Sequence, residues 1–187
     1  MKKAGLTVLI LSVILLSGCV KTQKNQNHDG NGREVSGQEE APLTVVFEGH
    51  DMEGNVVSSD VFSDSKLTMV NVWATYCNPC LREMPELGEL AGEYDREDFQ
   101  IIGIISDVQE GASQKSVDYA ADLIETTGAD YTHLFLNESL YFGLLEDVTA
   151  VPTTFFIDEN GEILDIVVGA MKKTEWEEKI DALLEEQ

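Results

Sequence analysis

Cys77 and Cys80 enclose Asn78 and Pro79 in a Cys-x-x-Cys segment. Thiols at this spacing can exchange electrons as a dithiol–disulfide pair, supply half of a zinc site, or sit unrelated in a core. A zinc site needs about two further ligands, usually another Cys or His pair. The three histidines, His28, His50 and His133, are not paired at ligand spacing, so no metal is expected. A purely structural bridge explains little, because a disulfide across two residues closes almost no loop. Redox exchange is the chemistry that uses both thiols. It needs one cysteine held as a thiolate and a second within reach to resolve the mixed disulfide.

The flanking elements can meet that need. Leu67 to Ala74 is an apolar run, as expected of a strand buried on both faces. A helix should follow Cys77, with Met84, Leu87, Leu90 and Ala91 on one face and a kink at Pro85. Cys77 then falls at the helix N-terminus, where free backbone N–H groups and the helix dipole stabilise a thiolate. Cys80 lies one turn further in, more covered, and is expected to resolve what Cys77 attacks.

Elsewhere, Leu43–Phe47 and Val56–Val57 bracket a turn at Asp51–Gly54 and predict an N-terminal hairpin. Phe99–Ser106 reads as a second buried strand and Thr132–Leu136 as a third. Between them Val117, Ala120, Ala121 and Ile124 mark a helix closed by Gly128. Glu138–Leu145 suggests a short helix. Thr153–Ile157 and Ile163–Val168 flank the turn Glu159-Asn160-Gly161, a hairpin signal. Thr174 and Glu177 have capping-box spacing before a last helix striped by Trp176, Ile180, Leu183 and Leu184. Together these predict an α/β domain over residues 42–187, a mixed central sheet with helices on both faces.

The segment Trp73-Ala74-Thr75-Tyr76-Cys77-Asn78-Pro79-Cys80 resembles the active site of the thioredoxin superfamily. With Glu83 and Pro85 it extends to Cys-x-x-Cys-x-x-Glu-x-Pro, which resembles the membrane-anchored TlpA/ResA-like branch of exported thiol–disulfide oxidoreductases. The hairpin and the central helix–strand insertion near residues 113–136 fit that branch. The resemblance implies a thioredoxin-like three-layer fold and no cofactor. It also makes Val151-Pro152-Thr153 similar to the superfamily's cis-proline segment. A substrate-contacting surface of Trp73, Tyr76, Asn78, Pro79, Val151 and Pro152 follows, with the Val151 backbone pairing an extended substrate.

Thioredoxins proper carry a buried aspartate six residues before the first cysteine, where this chain has Asn71. An amide cannot take up a proton there. The nearest carboxyl is Glu83, three residues beyond Cys80 and so near it on the helix. Buried, it would have a raised pKa and exchange a proton with Cys80; exposed, it would be an ordinary helical glutamate.

The N-terminus reads as a lipoprotein signal peptide over residues 1–18. Lys2 and Lys3 precede an apolar run, Leu6–Leu16, too short to span a membrane. The run ends in Leu16-Ser17-Gly18-Cys19, which resembles a lipobox with Cys19 as the acylated residue. Residues 19–41 are polar and read as a flexible tether. Lipidation of Cys19 leaves a single cysteine pair in an otherwise odd-numbered exported chain. The net charge of −23 argues against nucleic acid as a partner. Expected partners are exported proteins with disulfides or thiols, a membrane thiol-electron donor, and the membrane itself through the lipid.

Three other functions fit the sequence less well. Thiol peroxidases usually place Thr or Ser three residues before the reactive cysteine, where Ala74 stands. Copper-handling relatives generally use Cys-x-x-x-Cys. A binding or adhesive lipoprotein would not need an intact Cys-x-x-Cys. The anchor reading has a direct check: Cys19→Ala should leave the membrane fraction or fail to be processed, and a variant that fractionates and matures like wild type would refute it.

Overall fold

The apolar run at Leu67–Trp73 becomes the middle strand of the sheet, buried along its whole length. The computed structural model describes residues 44–187; the expected signal peptide, Cys19 and the tether over 19–41 lie outside the described residues. Seven strands are described: β1 Glu48–His50, β2 Val56–Ser58, β3 Leu67–Trp73, β4 Phe99–Gln109, β5 Thr132–Leu136, β6 Thr153–Asp158 and β7 Ile163–Val168. The helices are α1 Asn78–Glu93, α2 Gln114–Thr127, α3 Glu138–Leu140 and α4 Lys173–Glu185. A five-stranded sheet has the order β5-β4-β3-β6-β7. β3 runs parallel to β4, and β4 to β5, while β6 is antiparallel to β3 and β7 to β6.

Period-two alternation along β3 divides the core. Leu67 and Met69 pack with Leu87 and Leu90 of α1 and Trp176 and Ile180 of α4. Val70 and Val72 pack on the other face with Phe47, Phe62 and Leu140. That second face is covered by short pieces: a 3₁₀ turn at Ser59–Asp64, α3, and a π turn at Tyr141–Leu145. The result is the expected three-layer fold. α2 and β5 form the central insertion, with β5 as an edge strand.

Local expectations fared unevenly. Gly128 ends α2 in the left-handed region at φ 68°, and Gly161 closes the β6–β7 hairpin at φ 82°. α1 runs through Pro85 without ending. The N-terminal hairpin exists, but its first strand is Glu48–His50 rather than Leu43–Phe47. Val45 and Phe47 do alternate into the core; the Val45 N–H donates to the Gly161 carbonyl at 2.8 Å, so this segment joins the β6–β7 turn and not β2. The capping box is also shifted. α4 starts at Lys173, and the Glu175 carboxylate, not Glu177, accepts a backbone N–H, from Lys172 at 2.9 Å. Among the described residues no helix is long and apolar enough to cross a membrane.

Candidate active site

β3 ends at Trp73, and four residues later the chain turns into α1 with Cys77 as its N-cap. Cys77 and Cys80 form a disulfide with S–S 2.05 Å and Cα–Cα 5.3 Å. The Cys80 backbone N–H donates to Cys77 Sγ at 3.2 Å. This is one of the orphan donors of a helix start, aimed at the sulfur that would carry negative charge after reduction. Cys77 retains 5 % exposure and Cys80 none, although Asn78 and Pro79 between them are exposed.

The Val151–Pro152 peptide bond is cis. The Val151 carbonyl oxygen lies 3.5 Å from Cys77 Sγ, which brings this loop against the disulfide. Pro152 is buried and Val151 half-buried. Tyr76 is 73 % exposed and, with Val151, lines a groove of ≈ 220 Å³ beside the cysteines. Of the expected substrate surface, Tyr76, Asn78, Pro79 and Val151 are therefore accessible beside the pair. Pro152 and Trp73 are corrections: both are buried, and Trp73, fully so, has no surface for a substrate. Its indole N–H instead donates to His133 Nδ1 at 3.2 Å.

His133 was not singled out from sequence. It is buried, with Nε2 3.0 Å from the Ala129 carbonyl. Accepting from Trp73 at Nδ1 fixes the neutral tautomer that donates from Nε2. Burial pushes its pKa down to about 4, against the opposing pull of the Ala129 carbonyl. Thr75 was missed as well: its N–H and hydroxyl donate to Asp107 at 2.9 and 2.5 Å. The signal is register. Trp73 pairs with Ile105 across parallel strands, so the residues two positions further on face one another.

One turn along α1 from Cys80, Glu83 is 3 % exposed. The Asn71 side-chain amide donates to one carboxylate oxygen at 3.2 Å and the Met171 backbone N–H to the other at 3.3 Å. The same Asn71 amide reaches Thr154 Oγ1 at 3.1 Å, while its Oδ1 meets no donor among the described residues. The Trp176 indole N–H approaches the carboxyl without hydrogen-bond geometry. Burial pushes the Glu83 pKa up to about 7; the Asn71 and Met171 donors oppose this and the nearby Glu86 adds to it. Of the two readings left open for Glu83, the buried one is observed. Among the described residues no three metal-ligating side chains converge.

A model of the AhpC/TSA family matches residues 38–166. The chain belongs to that family. It is 30% identical over 139 residues to the thiol-disulfide oxidoreductase ResA of Halalkalibacterium halodurans, covering 74% of each chain. ResA of Bacillus cereus is 26% identical over 189 residues, 95% of this chain and 96% of its own. A putative thiol:disulfide interchange protein DsbE from Chlorobium tepidum superposes with a TM-score of 0.62 at 25% identity, over 78% of this chain and 98% of that one. The fold is thioredoxin-like and the protein is a disulfide oxidoreductase.

Glu83 makes stability depend on pH. Below its ordinary value of 4.5 it is neutral whether folded or not. From there to about 7 the unfolded chain releases a proton that the fold retains, so stability falls as pH rises. The full loss amounts to about 3 kcal/mol. His133 acts in the opposite sense, its stability contribution being lost as pH falls from 6.5 towards 4. The Glu83 part is isolated by comparison with Glu83→Gln. Urea unfolding of the oxidised protein should lose less stability in the variant than in wild type between about pH 5 and about pH 8. Equal losses would contradict the buried, proton-retaining carboxyl.

Proposed function

We propose that this protein is an extracytoplasmic, lipid-anchored reductase of disulfides in exported proteins, with Cys77 as attacking and Cys80 as resolving thiol. The observation that carries the assignment is the asymmetry of the pair: Cys77 at the helix start, beside an open groove, and Cys80 wholly covered one turn in. In the reduced protein the Cys77 thiolate attacks one sulfur of a substrate disulfide. A Cys77–substrate disulfide forms, the substrate S–S bond breaks, and the other substrate sulfur leaves as a thiolate that takes up a proton. Cys80 loses its proton, attacks Cys77 Sγ, and releases the second substrate thiolate. The substrate has gained two electrons and the Cys77–Cys80 disulfide has formed. A membrane thiol-electron donor then returns the pair to the dithiol.

Cys80 is buried among apolar side chains, which disfavour its thiolate. A base within the fold has to receive its proton. Glu83, on the next turn of α1, is the carboxyl in position, and its elevated pKa lets it hold a proton near neutral pH. Tyr76, Asn78, Pro79 and the Val151 backbone form the surface that the substrate meets. Signal-peptide cleavage before Cys19 and its acylation rest on the sequence of the N-terminus.

Affinity capture from the organism's envelope tests the thiol roles. Cys80→Ser should accumulate mixed disulfides through Cys77, releasable by reductant, and Cys77→Ser should hold none. Equal trapping by both variants would undo the assignment. The direction of flow is read from the reduction potential of the pair. A value near thioredoxin's ~−270 mV supports a reductase, and one near ~−120 mV indicates an oxidant.

A further inference from the structure

Residues 116–171 contain eleven Asp and Glu and no Lys or Arg. This stretch supplies the loop at Val151–Pro152, the turn Tyr141–Leu145, and strand β7. Three grooves adjoin on this side of the molecule. The groove beside Cys77 shares Val148, Thr149 and Ala150 with a second, of ≈ 330 Å³, and Leu136 and Tyr141 with a third, of ≈ 490 Å³. Phe142 joins the second to the third. The charged residues lining them are Glu110, Glu138, Glu146 and Asp147, all acidic.

Large apolar side chains stand out of the same face. Tyr76 is 73 %, Phe142 64 % and Val168 67 % exposed, with Ile166 and Tyr141 also exposed. Apolar side chains gathered this way mark an interaction surface rather than ordinary scatter. The electrostatics narrow the occupant. A second copy of this chain, at net charge −23, is repelled by a rim of carboxylates. A segment bearing Lys or Arg is attracted to it, and apolar residues between its cations have somewhere to go.

We propose that this face docks basic polypeptide segments with interspersed apolar side chains, and so selects cationic disulfide-containing substrates for Cys77. The proposal rests on the reductase reading and names the substrate class for that site. The groove walled by Tyr76 and Val151 leads such a segment to the sulfur, since the Val151 carbonyl is 3.5 Å from Cys77 Sγ. Because the carboxylates are at a solvated surface, their pull acts mainly on encounter and is screened by salt.

The test uses the reduced full chain and three disulfide peptides, identical apart from flanking Lys, Ser or Glu and each carrying one Phe. At low ionic strength kcat/KM should fall in the order Lys, Ser, Glu, with roughly tenfold between the ends. The order should collapse at about 0.5 M salt. A Glu146→Gln/Asp147→Asn double variant should cut the Lys-to-Glu ratio several-fold. Glu178→Gln/Glu186→Gln, the same charge change on α4 and the residue after it, should leave the ratio alone. Equal rates for the three peptides would overturn the proposal, as would equal effects of the two double variants, which would make the preference one of bulk charge. A concentration-dependent dimer broken by Phe142→Ser would overturn it in favour of a second copy. Failure of the wild type to reduce the neutral bis(hydroxyethyl) disulfide would overturn the reductase reading itself, and this proposal with it.

Discussion

A carboxyl group enclosed in the core with no cationic partner is the constraint around which this site is arranged. Glu83 accepts from two amide donors, Asn71 from β3 and the Met171 N–H ahead of α4, with the Trp176 indole N–H close by. These favour its anion, yet burial outweighs them and leaves the proton bound up to about pH 7. An arginine in place of Asn71 would make Glu83 a permanent anion, and would be costly to bury. An aspartate there would place two carboxyls together and split their titrations. The neutral amide holds the carboxyl in place and leaves its proton exchangeable near neutral pH.

The rest of the fold positions the turn that carries the thiols. β3 is the central strand, paired on both sides, so Asn71 and Trp73 sit on the most constrained backbone of the domain. Trp73 is tied to His133 on β5, and Thr75 to Asp107 at the end of β4. Three hydrogen bonds, one to β5 and two to β4, thus fix the turn between β3 and α1. Gly103 makes room for the first of them, since a Cβ there would come within 2.2 Å of His133 Nδ1. Tyr76, Asn78 and Pro79 are therefore exposed on a firmly bonded base, with Cys77 buried among them.

Much of this was legible in the sequence, for identifiable reasons. The strand–turn–helix around Cys77 has two strong periodic signals and a sharp change between them. The hairpin at Gly161 has turn chemistry that admits few alternatives, whereas the cis segment at Val151–Pro152 is legible only through the family resemblance, a trans bond being the default for an isolated X–Pro. What was misread has the opposite character. Val45 and Phe47 alternate as a strand does, but alternation fixes a buried face and not a ladder partner. The resemblance puts Trp73 in the substrate surface, but it lies on a central strand covered on both faces and is buried whichever face it takes. His133 carries no local signal, because its partners Trp73 and Ala129 are brought to it by strand order and by the α2–β5 connection. Glu83 could be placed near Cys80 from helical spacing, but its burial depended on α4 and Met171, far along the chain.

Proton transfer from Cys80 to Glu83 is the central step of the proposed chemistry. Stopped-flow turnover of one disulfide peptide by the reduced protein, from about pH 5 to about pH 9, tests it directly in wild type and Glu83→Gln. The account predicts a variant at least ~10-fold slower near neutral pH, with the gap closing at high pH as hydroxide takes over the deprotonation of Cys80. Rates that coincide across the whole range would contradict it and leave solvent water as the proton acceptor.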